Sequence, residues 1–273
     1  MKLSLSNLHM DKLNKYMLFI KKRLRFVLSV LIMAFCMLIG TFFYFDKAFF
    51  FIPILIIVTY ALTYFSLLEG VEGFEWFSLF IMPVILTLAF YLVYFLFPGR
   101  WITRLLFIAI YGIGSYAILL CSNIFNVGVE KSLQLYRAAF SVNFFIQTII
   151  LFLLFNTMFS FHFDFLLNGI IIGVVAFLCS LQLFWTVKLN PHPDRAVWYI
   201  SFLVGLILGQ IGIIASFVPV KGAIAALFMT ACYYSFCGLL YNYYDQRLFK
   251  ETVREFLFVL GFASVLLLLS ING

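Results

Sequence analysis

The sequence has little charge for its length. Only 11% of its 273 residues are charged, whereas 65% are apolar. Soluble domains contain about 25% charged and roughly 45–50% apolar residues. A soluble core of this size could not bury so much apolar surface, so the composition excludes a soluble protein. It predicts a multi-pass membrane protein whose solvent is lipid.

The long apolar runs contain no Asp, Glu, Lys, Arg or His near their centres. Ionisable groups inside a membrane mark proton relays and ion pathways, because a charge in lipid is costly. Their absence argues against a proton-driven pump. A channel, or a carrier that uses neutral groups, stays open.

Motifs for catalysis and metal binding are also missing. The chain has no H-E-x-x-H and no P-loop, and Ser115 in "GIGSY" has no histidine at a matching depth to act as its base. We therefore expect no catalytic residue, no metal and no cofactor, which leans against an enzyme without excluding one. The five cysteines lack metal-ligand spacing, and we interpret them as small buried residues: Cys36, Cys121, Cys179, Cys232 and Cys237.

What the sequence does contain is a series of apolar runs, each about as long as the roughly 17–25 residues that a helix needs to cross a bilayer. They predict an all-α bundle of nine transmembrane helices, with eight spans and a short last interfacial helix as the alternative. The predicted spans are 26–45, 48–68, 77–97, 105–125, 138–158, 166–186, 197–217, 222–242 and 256–272.

The basic residues indicate an orientation. Seven of the 18 Lys and Arg residues precede residue 26, and an N-terminus inside the cell leaves 14 of them on the inner side and 4 on the outer side. Because Lys and Arg favour cytoplasmic segments, we expect this orientation in a cytoplasmic (inner) membrane. The first span lacks a cleavage site and is expected to remain as an anchor.

Two regions follow from this pattern: a basic cytoplasmic segment at 1–25 and one integral membrane domain at 26–273. Residues 8–25 form either an amphipathic helix or a disordered tail, and in both cases they are suited to contact anionic lipid. The expected partners are membrane lipids and unknown proteins. Nucleic acid is not expected, because the basic groups precede a span rather than cover a polar face.

The segment "FSFHFDF", residues 159–165, places His162 and Asp164 among phenylalanines between the fifth and sixth spans. Aromatic rings prefer the membrane interface, from which His and Asp side chains reach water. Asp164 is also placed to cap the sixth span. One His and one Asp make an incomplete metal shell. We interpret the pair as an interfacial turn, with a lipid-headgroup enzyme as the alternative.

Neutral polar residues occur within the predicted spans. We expect them to face other helices, because lipid offers no hydrogen-bond partner. They form either interhelical hydrogen bonds or a ligand cavity, and the cavity candidates are Ser115, Asn143, Gln147 and Gln210. The sixth and seventh spans also each carry a G-x-x-x-G motif, at Gly169 and Gly173 and at Gly205 and Gly209, which favours close packing of the two spans.

Three segments carry a resemblance: "FPGRWITRLLFIAIYGIGSYAILLCSNIFNV", "QLYRAAFSVNF" and "QRLFKETVREFL". Through them the chain resembles uncharacterised multi-pass membrane proteins of small-genome, candidate-phylum bacteria over about residues 70–270. The resemblance implies a bacterial cytoplasmic membrane and transfers no functional residue.

The sequence thus favours a non-enzymatic, polytopic membrane protein with a structural, assembly or partner-binding role. The alternative is a transporter or lipid-handling carrier with a neutral polar cavity between spans four, five and seven. Ser115, Asn143, Gln147 and Gln210 would line that cavity.

Overall fold

A computed structural model describes residues 21–43, 48–67, 74–96, 101–127, 133–190 and 192–271. Within these ranges the chain forms nine α-helices and no β-strand, and each helix is long and apolar enough to cross a membrane. This confirms the predicted all-α bundle. The helices are α1 Lys22–Phe43, α2 Ala48–Leu67, α3 Glu75–Tyr94, α4 Trp101–Val127, α5 Leu133–Ser160, α6 Phe165–Trp185, α7 Arg195–Ser216, α8 Gly222–Tyr244 and α9 Lys250–Ile271.

Several helices are longer than the apolar runs that predicted them. Helices α4 and α5 contain 27 and 28 residues, because each continues past an arginine, Arg104 or Arg137, that marked a predicted limit. An arginine can stay in a helix near the interface, since its long stem reaches water. Helix α9 contains 22 residues and begins at Lys250, so the last span is not short.

Some predictions concern parts of the chain that the structure describes only in part. The predicted amphipathic segment lies outside the described residues up to residue 20, and α1 begins at Lys22. The described chain between the last two spans forms a turn and no helix of its own. Helix α8 ends at Tyr244, a turn follows with Gln246 at a φ of 57°, and α9 then begins.

Helix α3 is the centre of the bundle. In its most apolar stretch, 72% of the residues are buried. The helix contacts α1, α2, α4, α5 and α6. Pro83 lies inside it and has no N–H to donate to the carbonyl of Leu79, one turn earlier. The Ser122 hydroxyl of α4 donates to that carbonyl instead, at 3.4 Å. A neighbouring helix thus satisfies the group that the proline frees, as a membrane interior requires.

Helices α6 and α7 make the closest contact, as the two G-x-x-x-G motifs predicted. A Cβ atom added at Gly173 would lie 3.0 Å from the Gly205 carbonyl oxygen, and one added at Gly205 would lie 2.8 Å from the Gly173 oxygen. Glycine is required here because the two backbones touch.

Helix α9 lies at the periphery, because only 11% of the residues in its most apolar stretch are buried. It packs on α8. The Phe256 ring covers Gly238, where an added Cβ would lie 2.3 Å from a ring carbon. The Ser235 hydroxyl donates to the Phe256 carbonyl at 3.0 Å. Most other residues of α9 are exposed or half-buried among the described residues.

Candidate functional site

Two of the four predicted cavity residues meet inside the bundle. Asn143 and Gln147 lie one turn apart on α5, and both are buried. The Asn143 amide donates to Gln182 Oε1 of α6 at 3.2 Å, and the Gln147 amide donates to the Cys179 carbonyl of α6 at 2.8 Å. These side chains hold α5 against α6.

Beside these bonds lie polar atoms that have no partner within the described residues. Gln147 Oε1 and the Tyr233 hydroxyl are both buried and make no hydrogen bond there. Tyr233 belongs to α8, which packs on α5. Buried polar groups are nearly always satisfied by protein or water. The junction of α5, α6 and α8 therefore contains buried polar groups that the described residues do not fully satisfy.

Ser115 lies in a different contact. It is buried on α4, one turn after Tyr111. Tyr111 hydrogen-bonds to Thr87 of α3 at 2.9 Å, and Thr87 hydrogen-bonds to Thr59 of α2 at 3.2 Å. This hydroxyl chain joins α2, α3 and α4. The sequence analysis missed it, although all three residues carry hydroxyls well inside their predicted spans.

Gln210 is separate from the other three, and its predicted inward orientation was wrong. Its side chain is exposed on α7, a helix that packs against α6 and α8. The buried face of α7 is set by small residues such as Gly205, Gly209 and Gly212, which turns Gln210 toward the lipid side. The four candidates therefore do not line one cavity between spans four, five and seven.

Gln210 instead lines a groove of about 430 Å³ along the contact of α6 and α7. We call it the α6–α7 groove. Its floor consists of the four glycines of the two motifs, and its walls are apolar side chains such as Val174, Phe202 and Leu206. The amide of Gln210 is the polar side chain of this lining.

His162 and Asp164 lie in the turn between α5 and α6, as predicted, and both are exposed. His162 has a φ of 52°, in the left-handed region that non-glycine residues rarely adopt. Its Nδ1 lies 2.9 Å from the Ser160 carbonyl oxygen. Asp164 stands at the N-cap of α6, as predicted, but its carboxylate makes no capping hydrogen bond.

A cavity of about 570 Å³ lies between this turn and the turn that joins α7 to α8. We call it the His162 cavity. His162, Asp164 and Asn168 line one side, and residues 215–220 together with Gly222 line the other. The sequence analysis missed Asn168 because it treated the interfacial turn as ending before α6.

The opposite end of the bundle carries an ion pair. Lys188 and Asp194 bracket the loop between α6 and α7, and Lys188 Nζ donates to Asp194 Oδ2. This hydrogen bond raises the pKa of Lys188 and lowers the pKa of Asp194. The Tyr244 hydroxyl of α8 also donates to Asp194, at 3.0 Å. The contacts fasten the loop to the end of α8, which is a structural role.

Metal binding finds no support in the part of the chain that the structure describes. It contains no group of three or more His, Cys, Asp or Glu side chains close enough to hold an ion. The polar side chains described above therefore lie at helix contacts, in the α6–α7 groove, in the His162 cavity and in the ion pair of Lys188 with Asp194.

Within the described residues, nine helices that are each long and apolar enough to cross a membrane define a polytopic helical membrane protein. A family model described as "Protein of unknown function (DUF5656)" matches residues 69–270, and the chain belongs to this family. The matched range agrees with the extent of the resemblance predicted from the sequence. Comparison with curated proteins gives no match, and comparison with solved structures gives none.

Proposed function

We propose that this protein is a non-enzymatic membrane protein with an assembly role, and that two copies pair through the α6–α7 groove. The observation that carries the proposal is the exposed amide of Gln210. The interior amides of Asn143 and Gln147 bond to neighbouring helices, whereas Gln210 faces outward over a groove floored by glycine.

The depth of Gln210 makes a partner necessary. Helix α7 runs from Arg195 to Ser216, so six residues at 1.5 Å each place Gln210 about 9 Å below the end of the helix. At that depth the hydrocarbon offers no hydrogen bond to an amide. A side-chain amide that faces lipid is therefore satisfied by a polar group on another protein surface.

A second copy supplies a matching group. An amide is both a donor and an acceptor, so two Gln210 side chains related by a two-fold axis can bond to each other. The groove has no large side chain on its floor, which lets another helix approach closely. Close approach and an interhelical hydrogen bond are the two usual sources of helix association in lipid.

The test is a photo-crosslinking amino acid placed at position 210 in native membranes. Self-assembly predicts one crosslinked protein band whose mass is twice that of the chain. The matched control is position 113 on α4, where Ile113 is also exposed, and it is expected to give lipid adducts without this band. Lipid adducts alone at position 210 would contradict the proposal.

The carrier alternative has lost its main support, because its four residues lie in three separate places. Asn143 and Gln147 bond to α6, Ser115 lies beside Tyr111, and Gln210 is exposed. A cavity between spans four, five and seven would need all four side chains to converge. The assembly role is therefore favoured.

We also infer that the protein lies in the cytoplasmic membrane of a small-genome, candidate-phylum bacterium, with its N-terminus inside and residues 1–25 near anionic lipid. The resemblance and the distribution of Lys and Arg support this. A membrane-impermeant thiol reagent is expected to label Lys221→Cys in intact cells and to spare Lys188→Cys. The reverse pattern would invert the orientation.

A further inference from the structure

We propose that the dimer paired through the α6–α7 groove holds an anionic phospholipid between its two Arg195 side chains, and that this lipid strengthens the pairing. The inference rests on the self-assembly proposed above and names a lipid partner for the same surface. It is motivated by an exposed stripe on α7 that joins Gln210 to Arg195, the first residue of the helix.

The stripe runs from the groove to the end of the helix. Its members are four, three, four and four residues apart, which is the spacing of side chains on one helix face. All five are exposed: Arg195, Tyr199, Phe202, Leu206 and Gln210. The last three line the α6–α7 groove. Pairing through the groove therefore turns the stripes of the two copies toward each other, including Arg195.

Arg195 makes no ion pair within the described part of the chain. The carboxylate next to it in the sequence, Asp194, accepts hydrogen bonds from Lys188 Nζ and from the Tyr244 hydroxyl instead. An arginine at the end of a transmembrane helix reaches the headgroup level through its long stem. The guanidinium of Arg195 is therefore exposed at that level, and an anion from outside the chain can bind it.

Symmetry turns this single charge into a pair. Both copies cross the membrane in the same direction, so a two-fold axis places the two Arg195 side chains at the same depth. Arg195 lies about 22 Å along the helix from Gln210. Two helices that cross near Gln210 at about 20° are therefore about 8 Å further apart at Arg195. The two like charges repel each other, and the space between them admits an anionic headgroup.

A lipid phosphate matches this pair of arginines. Guanidinium groups bind phosphate through two parallel hydrogen bonds, and basic pockets between transmembrane helices bind anionic headgroups on the cytoplasmic side. The distribution of Lys and Arg assigns the Arg195 end of α7 to that side. The lipid carries a net negative charge, because the ammonium of a zwitterionic headgroup would add to the positive charge of the two arginines.

The experiment measures the dimer dissociation constant of the purified full chain in vesicles, by single-molecule photobleaching of the labelled protein at decreasing protein-to-lipid ratios. One set of vesicles is phosphatidylcholine alone, and the other contains equal parts of phosphatidylcholine and phosphatidylglycerol with the same acyl chains. The native chain is expected to dimerise roughly tenfold more tightly with phosphatidylglycerol, because two arginines are attracted to the anionic lipid.

Two results for the native chain would overturn the inference, and they differ in what they say of self-assembly. Equal dissociation constants in the two membranes would remove the role of the anionic lipid and leave self-assembly standing. A chain that is monomeric in both membranes would overturn self-assembly itself, and the lipid bridge with it.

Arg195→Gln distinguishes a lipid bridge from damage to the fold. The change removes both the attraction to phosphatidylglycerol and the repulsion between the two copies in phosphatidylcholine alone. The variant should therefore dimerise equally in the two membranes, and at least as tightly as the native chain in phosphatidylcholine. A variant that keeps the native dependence on phosphatidylglycerol would overturn the inference.

The matched control is Arg254→Gln. It removes an exposed arginine near the start of α9, at the same end of the bundle as Arg195, because alternate helices begin at the same end. This variant should keep the native dependence on phosphatidylglycerol. Loss of the dependence in the control as well would show that the overall surface charge acts, rather than Arg195, and would overturn the inference.

Inorganic phosphate distinguishes a lipid from a free anion. A lipid phosphate is held at the level of Arg195 by its acyl chains, whereas inorganic phosphate stays in the water. Inorganic phosphate added to the phosphatidylcholine vesicles is therefore expected to leave the dimer dissociation constant of the native chain unchanged. Tight dimerisation restored by inorganic phosphate would show that the two arginines need no lipid, which would overturn the inference.

Discussion

The Gln147 side chain of α5 donates to the backbone carbonyl oxygen of Cys179 on α6 at 2.8 Å. A polar side chain on one helix thus bonds directly to the backbone of its neighbour. Interhelical hydrogen bonds in membrane proteins contribute about 0.6 kcal/mol on average. The helical hydrogen bond that the Cys179 carbonyl accepts within α6 does not depend on Gln147.

The first prediction concerns this contact. Gln147→Leu keeps most of the side-chain volume and removes the unpaired Oε1 atom, so we expect it to cost at most about 1 kcal/mol of unfolding free energy. Gln147→Ala leaves a void at a fully buried position and should cost roughly 2 kcal/mol or more. Unfolding in mixed micelles measures both values. A leucine variant that costs as much as the alanine variant would contradict this prediction, because both lack the hydrogen bond and only the alanine variant leaves the void.

The second prediction concerns the hydroxyl chain of α2, α3 and α4. Thr87 donates to the Pro83 carbonyl at 2.9 Å, so it accepts hydrogen bonds from both Thr59 and Tyr111. Thr87→Val leaves those two buried hydroxyls without their acceptor, at about 1–3 kcal/mol for each unsatisfied group. Tyr111→Phe removes a donor and leaves Thr59 and Thr87 bonded. We therefore expect the valine variant to unfold at a lower temperature than the phenylalanine variant, and equal midpoints would contradict this.

The third prediction uses two glycines as a matched pair. A Cβ at Gly205 would lie 2.8 Å from the Gly173 oxygen, whereas a Cβ at Gly261 on α9 meets no atom within 4 Å. Gly205→Ala should destabilise the bundle by about 1–3 kcal/mol through overpacking. Gly261→Ala should be neutral, or stabilising by up to about 1 kcal/mol, because alanine favours a helix. Similar losses in both variants would mean that α6 and α7 do not touch at these glycines.

The fourth prediction concerns pH. The pKa of Asp194 is lowered from 3.8 by the hydrogen bond from Lys188. A lowered folded pKa means that the stabilisation is fully present above the ordinary value and is lost as the pH falls through the folded value. The stability difference between the native chain and Asp194→Asn should therefore be constant near neutral pH and shrink below about pH 4.

Thermal midpoints of the two proteins, measured from pH 7 downward, check this prediction. Because the pair is exposed, the difference should also shrink at high salt. The raised pKa of Lys188 has the opposite consequence at high pH. The stabilisation it contributes is lost as the pH rises through its folded pKa. A difference that grew on acidification would contradict the assigned contact.

The nine spans could be predicted from the sequence because length and apolarity alone decide whether a helix can cross a bilayer. The packing of α6 on α7 could also be predicted, since G-x-x-x-G motifs mark close contacts. The ends of α4 and α5 could not, because an arginine near the interface is compatible with a continuing helix.

It was harder to predict which side chains face the lipid and which face the interior of the bundle. The rule that polar groups avoid lipid was correct for Ser115, Asn143 and Gln147, and it failed for Gln210. The glycines of α7 decide which of its faces is buried, and Gln210 follows Gly209 by one residue, about 100° around the helix. A helical projection centred on the glycines would have turned Gln210 outward. Asn168 donates a hydrogen bond to Ser216, which lies 48 residues later in the chain. No local sequence pattern reveals such a contact.

The most direct test of self-assembly is the native mass of the protein released from lipid nanodiscs. Pairing through Gln210 predicts a dimer for the native chain and a monomer for Gln210→Leu, a change that suits a lipid-facing position. The control is Gln134→Leu, which removes an exposed amide in the first turn of α5 and should leave the dimer intact. A native chain that is monomeric, or a dimer that Gln210→Leu leaves unchanged, would contradict the assembly role proposed for the α6–α7 groove.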